Sequence, residues 1–199
     1  MPGLNARCAA LVLAGGAGRR LGGVDKTLLP VAGQPILARI LATLGADIPD
    51  IAISANGDPA RFAAFARPVL ADGDFAGQGP LAGLLAGLDW ASAIGAETLL
   101  SVPGDTPFIP PGLAVTLAPA PAVAASAGHV HHLVALWPVA VRAALRAHLL
   151  LPGTRRVQDF AGMIGLRRVD FPALPWDRFM NINTAEDLET ARRIAGTAA

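Results

Sequence analysis

Short apolar runs alternate along the chain with stretches whose apolar residues recur at helical spacing. Ala9-Ala10-Leu11-Val12-Leu13 reads as a buried strand ending on Gly15-Gly16. Gln34 to Leu44 has helical periodicity, with Pro35 acceptable in the first turn, where its missing N–H would be unpaired anyway. Ile51 to Ser54 is a second strand, Asp58 opens a second helix, and Val69-Leu70 is a brief third strand. Leu81 to Ala93 is helical after a glycine-rich loop, and Thr98 to Val102 is a strand closed by Pro103-Gly104. This rhythm predicts an α/β fold: a Rossmann-like, mostly parallel sheet covered on both faces, in three layers α/β/α.

Beyond Phe108 the pattern is looser. Strands are expected at Val123 to Ser126, Leu133 to Trp137 and Leu166 to Phe171, and helices at Val139 to Leu149 and Thr184 to Ile194. Pro119 and Pro121 mark a turn rather than an interdomain linker, and no repeat is visible. At 199 residues the chain fits one domain with a sizeable core, residues 1–199.

Composition narrows the class. Hydrophobic residues make up 53% and charged ones 16%, which excludes a disordered chain. A net charge of +1 supplies no global field to recruit nucleic acid or a membrane surface. The single cysteine, Cys8, permits no internal disulfide and suits a reducing, cytoplasmic setting. From Thr106 to Val141 there is no Asp, Glu, Lys or Arg, but Pro107, Pro110, Pro111, Pro119, Pro121 and Pro138 break that stretch, so no membrane helix is expected. Met1 to Ala6 runs straight into a strand-like segment, so no signal peptide is expected either.

The chemistry concentrates after the first strand, in Leu13-Ala14-Gly15-Gly16-Ala17-Gly18-Arg19-Arg20-Leu21-Gly22-Gly23-Val24-Asp25-Lys26. Glycines here let bare backbone N–H groups approach a ligand, and Arg19, Arg20 and Lys26 add positive charge. A loop at the carboxyl end of a strand in an open α/β sheet is where ligands bind, so an anionic, polyphosphate ligand is expected. A Walker loop is excluded because Lys26 follows Asp25 rather than glycine, and a dinucleotide fingerprint because Gly16 and Gly18 are followed by Leu21.

The segment resembles the signature loop of the molybdenum cofactor guanylyltransferases: Leu-Ala-Gly-Gly, then Arg-Met-Gly, then Asp-Lys. The resemblance continues through Gly33-Gln34-Pro35-Ile36, Ser54-Ala55-Asn56, Asp72 with Gly79-Pro80-Leu81-Ala82-Gly83, Pro103-Gly104-Asp105-Thr106-Pro107-Phe108 and Asn181-Ile182-Asn183-Thr184. It implies the nucleotide-diphospho-sugar transferase type of fold, with a nucleotide-binding half over about residues 1–108 and an acceptor-binding half over about 109–199. It also implies transfer of GMP from MgGTP to molybdopterin, with release of pyrophosphate. Such chemistry needs no covalent nucleophile, only positioning and charge neutralisation.

On this resemblance Lys26 and Arg20 hold the triphosphate, and Asp105 carries Mg²⁺; Asp105 also fits an ordinary turn before Thr-Pro. Leu13, Ala14, Gly15, Gly16, Asn56, Asp72, Gly79, Pro80 and Leu81 are the matching nucleotide positions. Asp72 also fits a loop cap, and Gly79 to Gly83 a plain helix start. Arg156, Asn181 and Asn183 match acceptor-side positions; Arg155-Arg156 also fit a solvated helix end. Asn183 fits a helix N-cap with Glu186 as its capping-box partner. Leu21 replaces the family's usual Met, and Gly18 stands where a small hydroxyl residue is frequent. Cytidylyl relatives carry Leu-Ala-Ala-Gly, so Gly15 favours the guanylyl branch; CTP and other small-molecule nucleotidyl transfer remain the alternative. Transient contact with cofactor-delivery proteins or molybdoenzymes is implied by the resemblance alone. His129, His131 and His132 read as an exposed strand edge rather than a metal site, since no cysteine or carboxylate lies nearby in sequence.

Overall fold

A computed structural model describes residues 7–15, 25–153 and 155–197. Along the described chain run β1 (Cys8–Leu13), β2 (Pro30–Val31), β3 (Gln34–Pro35), α1 (Ile36–Gly45), β4 (Ile51–Ser54), β5 (Val69–Leu70), α2 (Pro80–Ala93) and β6 (Thr98–Pro103). There follow α3 (Leu113–Leu117), β7 (Ala122–Ser126), β8 (His129–Pro138), α4 (Arg142–Leu150), α5 (Val157–Ile164), β9 (Arg167–Asp170) and α6 (Ala185–Thr197).

Seven strands form one sheet in the order β5-β4-β1-β6-β8-β7-β9. β5, β4, β1 and β6 run parallel, β8 is antiparallel to both its neighbours, and β9 is parallel to β7. The chain crosses from β1 to β4 on one side and to β6 on the other, which opens a crevice at the carboxyl end of β1.

Strand alternation distributes the core over both faces. Ala10 and Val12 of β1 pack with Ile36 and Ile40 of α1 and Leu188 of α6, whereas Ala9 and Leu11 pack with Leu84 and Leu88 of α2 and Leu145 of α4. Because both faces are covered, β1 is apolar throughout, and the three-layer α/β/α arrangement is the one its pattern predicts. Helix α2 lies unusually close to the sheet: a β-carbon at Gly83 would overlap Ser54 Oγ, and one at Gly87 would overlap Leu11. Each mid-helix glycine costs about 1 kcal/mol of helix propensity, which the close packing offsets.

Most differences from the sequence expectation are local. Gln34-Pro35 is not the first helical turn. It pairs with Pro30–Val31 around Ala32 and Gly33, whose positive φ angles of 49° and 78° suit a tight hairpin, and α1 begins at Ile36. The segment after Asp58 is a 3-10 helix, Pro59–Phe65, with Asp58 accepting from the Ala60 N–H. α3 and α5 have no counterpart in the sequence reading, because α3 is only one turn long and Pro152-Gly153 masks the approach to α5. β8 lies between β6 and β7, but its pairing with β6 covers only Ala135 to Pro138, so the histidine run has β7 alone beside it. His129 is exposed, but His131 is half-buried.

Candidate active site

The crevice is a chamber of about 600 Å³ at the ends of β1, β4 and β6, lined by Leu13, Gly15, Ser54, Asp72, Gly79 and Asp105 among others. A second chamber of about 420 Å³ adjoins it, with His131, Arg155 and Arg156 in its wall. Pro80, Pro103, Leu133 and Asn181 belong to both.

Asp105 reaches the first chamber because β6 ends at Pro103 and the Gly104 N–H donates to the carbonyl of Leu13 at 2.9 Å. Its backbone carbonyl is held in turn by the Ile182 N–H at 2.9 Å. Burial pushes the Asp105 carboxyl above its usual range, and the Lys26 ammonium pulls it partly back. The two groups therefore address one space.

Lys26 opens a 3-10 turn, Lys26–Leu28, whose cap is Asp25: Oδ1 accepts from the Thr27 N–H at 3.1 Å and the Thr27 hydroxyl at 2.6 Å. Arg61 grips the other Asp25 oxygen through Nε at 3.1 Å and reaches the Asn56 carbonyl through Nη2 at 2.8 Å. Nothing in the sequence pattern singles out Arg61, which lies 36 residues from Asp25. At the far end of its side chain, Lys26 Nζ donates to Asn183 Oδ1 at 2.9 Å.

Asn56 does not face the nucleotide chamber as expected. Its Nδ2 donates to Asp72 Oδ2 at 2.6 Å and its Oδ1 accepts from the Asp72 N–H at 3.0 Å, so both ends of the amide are spent on Asp72. Asp72 lines the chamber, and Ser54, two residues before Asn56, supplies a hydroxyl there that the sequence reading missed. Leu81 points into the core at 0% exposure, leaving only its backbone amide, in the first turn of α2, for a ligand. Ala14 is buried, with its N–H on the Ser54 carbonyl. Gly16 and Arg20, with Gly18, Arg19 and Leu21, lie outside the described residues.

On the acceptor side, Asn181 stands between the chambers, its Oδ1 accepting from Thr106 Oγ1 at 2.7 Å. Asn183 is not the cap of α6. Thr184 is, through a reciprocal pair: Thr184 Oγ1 accepts from the Asp187 N–H at 3.1 Å and Asp187 Oδ2 accepts from the Thr184 N–H at 2.8 Å. The Asn183 N–H also donates to that carboxylate, the largest of the effects that hold Asp187 below its usual range. The capping box sits one residue later than expected, which frees the Asn183 amide for Lys26. Arg155 bonds Gln78 Oε1 through Nε at 2.8 Å, and Gln78 lies between Gly77 and Gly79 of the first chamber. Arg156 is exposed at the start of α5.

Among the described residues no three acids, histidines or cysteines gather as a metal cage. Asp105 nevertheless fits Mg²⁺: no side chain among the described residues hydrogen-bonds its desolvated carboxylate. Magnesium needs only one or two such ligands, taking phosphate and water oxygens for the rest.

Comparison with known proteins gives the family and the fold. The model of the MobA-like NTP transferase domain matches residues 10–164. A molybdenum cofactor guanylyltransferase of Acidiphilium cryptum is 58% identical over 182 residues, covering 92% of each chain. One of Rhodopseudomonas palustris is 47% identical over 195 residues, covering 94% of this chain and 93% of its own. Among solved structures, molybdopterin-guanine dinucleotide biosynthesis protein A of Archaeoglobus fulgidus superposes with a TM-score of 0.72 at 21% identity, over 95% of this chain and 99% of that one. A Mycobacterium sp. strain JC1 protein superposes with a TM-score of 0.77 at 23% identity, over 98% and 100%. At these identities the superpositions establish the fold alone. No helix among the described residues is long and apolar enough to cross a membrane.

Proposed function

The chain belongs to the MobA-like NTP transferase family, among its molybdenum cofactor guanylyltransferases, and on that premise we propose that it transfers GMP from MgGTP to molybdopterin. The observation that carries the reading is the pair of adjoining chambers, with Asp105 lining the first and the Lys26 charge acting on it. A phosphate oxygen of the acceptor attacks the α-phosphorus of GTP, the bond from that phosphorus to the α,β-bridging oxygen breaks, and pyrophosphate leaves. Asp105 would hold Mg²⁺, which when bound would supply neutralisation of the phosphate charge. Lys26, steered by Asn183, supplies a second positive charge to the polyphosphate. The backbone N–H groups of Gly15 and, at the start of α2, of Gly79 and Leu81 are available to the nucleotide, and Asp72 offers a carboxylate.

The division of labour follows the chambers. Residues 1–108 build most of the nucleotide chamber, and residues 109–199 bring Arg156, Asn181 and the β8 wall to the acceptor, while Arg20 of the first loop completes the grip on phosphate. Gly15 supports guanine over cytosine: among the described residues a β-carbon there would meet nothing within 4 Å, and the missing methyl leaves room for ligand. GTP as co-substrate places the reaction in the cytoplasm, with both substrates small molecules and the product passed to a delivery protein or molybdoenzyme. Incubation with molybdopterin and MgGTP or MgCTP, followed by mass analysis, tests the reading. A guanine dinucleotide product is expected; exclusive formation of the cytosine product would replace it by the cytidylyl alternative.

A further inference from the structure

We propose that His131 is a positioning residue: acting through Ser126 and Asp177, it holds the segment 177–183, and with it Asn183 and Lys26, at the transfer centre. This rests on reading that centre as a nucleotidyl-transfer site.

The network starts at Ser126, buried at the end of β7. Its hydroxyl lies 2.7 Å from both Asp177 Oδ1 and His131 Nε2. A carboxylate only accepts, so the single hydroxyl proton goes to Asp177, and the serine oxygen must accept from an Nε2–H of His131. The tautomer of His131 is thereby set. Burial holds the imidazole below its usual pKa against the pull of Asp177, and the other titratable groups acting on it, His129 and His132, push in the same direction as burial. The ring stays neutral near pH 7. A Ser-His-Asp trio invites comparison with a hydrolytic triad, but the proton runs from serine to aspartate and the serine is 1% exposed, so it is no nucleophile.

The network instead anchors a strap. Asp177 Oδ1 also accepts from the Phe179 N–H at 2.9 Å. The Phe179 ring is buried, 5.0 Å from the His131 ring and edge-on to Phe171 at 5.0 Å. Past this fixed point the chain delivers Asn181 to Thr106, the Ile182 N–H to the Asp105 carbonyl, and Asn183 Oδ1 to Lys26 Nζ. Four bonds between residues distant in sequence thus hang one seven-residue segment across the site, and His131 secures its upstream end.

Two substitutions separate the donor from the ring. His131→Phe keeps an aromatic ring against Phe179 but has no N–H; His131→Gln offers an amide N–H near the Nε2 position. In the full-length enzyme, His131→Phe is expected to lower kcat/KM for GMP transfer about ten-fold, and His131→Gln to recover most of that loss. With Asn183→Ala already present, His131→Phe should cost less than about two-fold more, because its effect passes through that residue. Independently of activity, amide hydrogen exchange at Phe179 and Ile182 should quicken about ten-fold in His131→Phe, with β1 amides unchanged. Unchanged exchange at both amides, or a full multiplicative loss in the Asn183→Ala background, overturns the proposal. Failure of the wild-type protein to make the GMP adduct would instead sink the functional reading, and the exchange rates would still decide the role of His131.

Discussion

The backbone N–H of Gly104 meets the carbonyl of Leu13 at 2.9 Å, so the two strand ends that serve the site touch with no side chain between them. A β-carbon on Gly104 would stand 2.7 Å from Thr27 Cγ2 and 3.1 Å from the Leu13 oxygen. This contact places the carboxylate that follows Gly104 beside the turn that begins with Lys26. A single acid and a single ammonium can then act on one polyphosphate.

Gly104→Ala should therefore pry the first loop away from β6. Overpacking of this kind costs about 1–3 kcal/mol. A displacement of about 1 Å at a transfer centre costs on the order of 100-fold in rate. Thermal unfolding and kcat/KM for GMP transfer check both; a fully active Gly104→Ala enzyme would show that the close approach is dispensable.

Asp105→Asn should trade activity for stability. The folded pKa of Asp105 is raised by burial, so its favourable contribution is complete below the unfolded value of about 3.9 and is lost as pH rises through the folded value. At neutral pH the ligand-free protein bears the unfavourable buried charge, which asparagine removes. The variant is expected to be the more stable protein at pH 7, with the difference shrinking towards zero below about pH 4. Turnover should fall about 100-fold or more, and MgGTP, expected to raise the melting temperature of the wild type, should no longer do so. Denaturant melts across pH, with and without MgGTP, decide the matter.

Arg61→Ala removes the clamp on Asp25 and the bond to the Asn56 carbonyl. Loss of a charge-assisted hydrogen bond costs about 1.5–3 kcal/mol when it falls on the bound state. The KM for GTP should rise about ten-fold or more, with a smaller change in kcat. A KM for molybdopterin that moves instead would show that Arg61 serves the other chamber.

Thr184→Ala breaks the capping box of α6 and should cost about 1 kcal/mol. The partner acid gives the pH dependence. Asp187 is held below its usual pKa, chiefly by the Asn183 N–H, so its contribution is present above about pH 4 and disappears as pH falls through the lowered folded value. Asp187→Asn should thus be less stable than wild type at pH 7 and approach it in acid. Equal stability at pH 7 would count against the cap.

The expectations for the nucleotide loop and Asp105 came from local signals: glycines after an apolar strand, a lysine near them, and an acid just past a second strand. Asn56 and Asn183 were visible as polar residues at strand and helix boundaries, yet their partners were not. Asn56 spends its amide on Asp72, 16 residues away, and Asn183 meets Lys26 across 157 residues. His131 looked like one of three surface histidines until the fold brought Ser126 and Asp177 against it.

By itself the sequence determined the alternation of the main strands and helices and the two-faced core, and it raised the expectation of a polyphosphate ligand at the first loop. Periodicity, glycine freedom and proline's missing donor act within a few residues, so they can be read along the chain. Only the tertiary structure decided which polar groups face the chambers and which hold their neighbours in place. Each such group had several partners of equal chemistry, and the choice among them was made by the order of strands in the sheet, which brings distant segments to one edge.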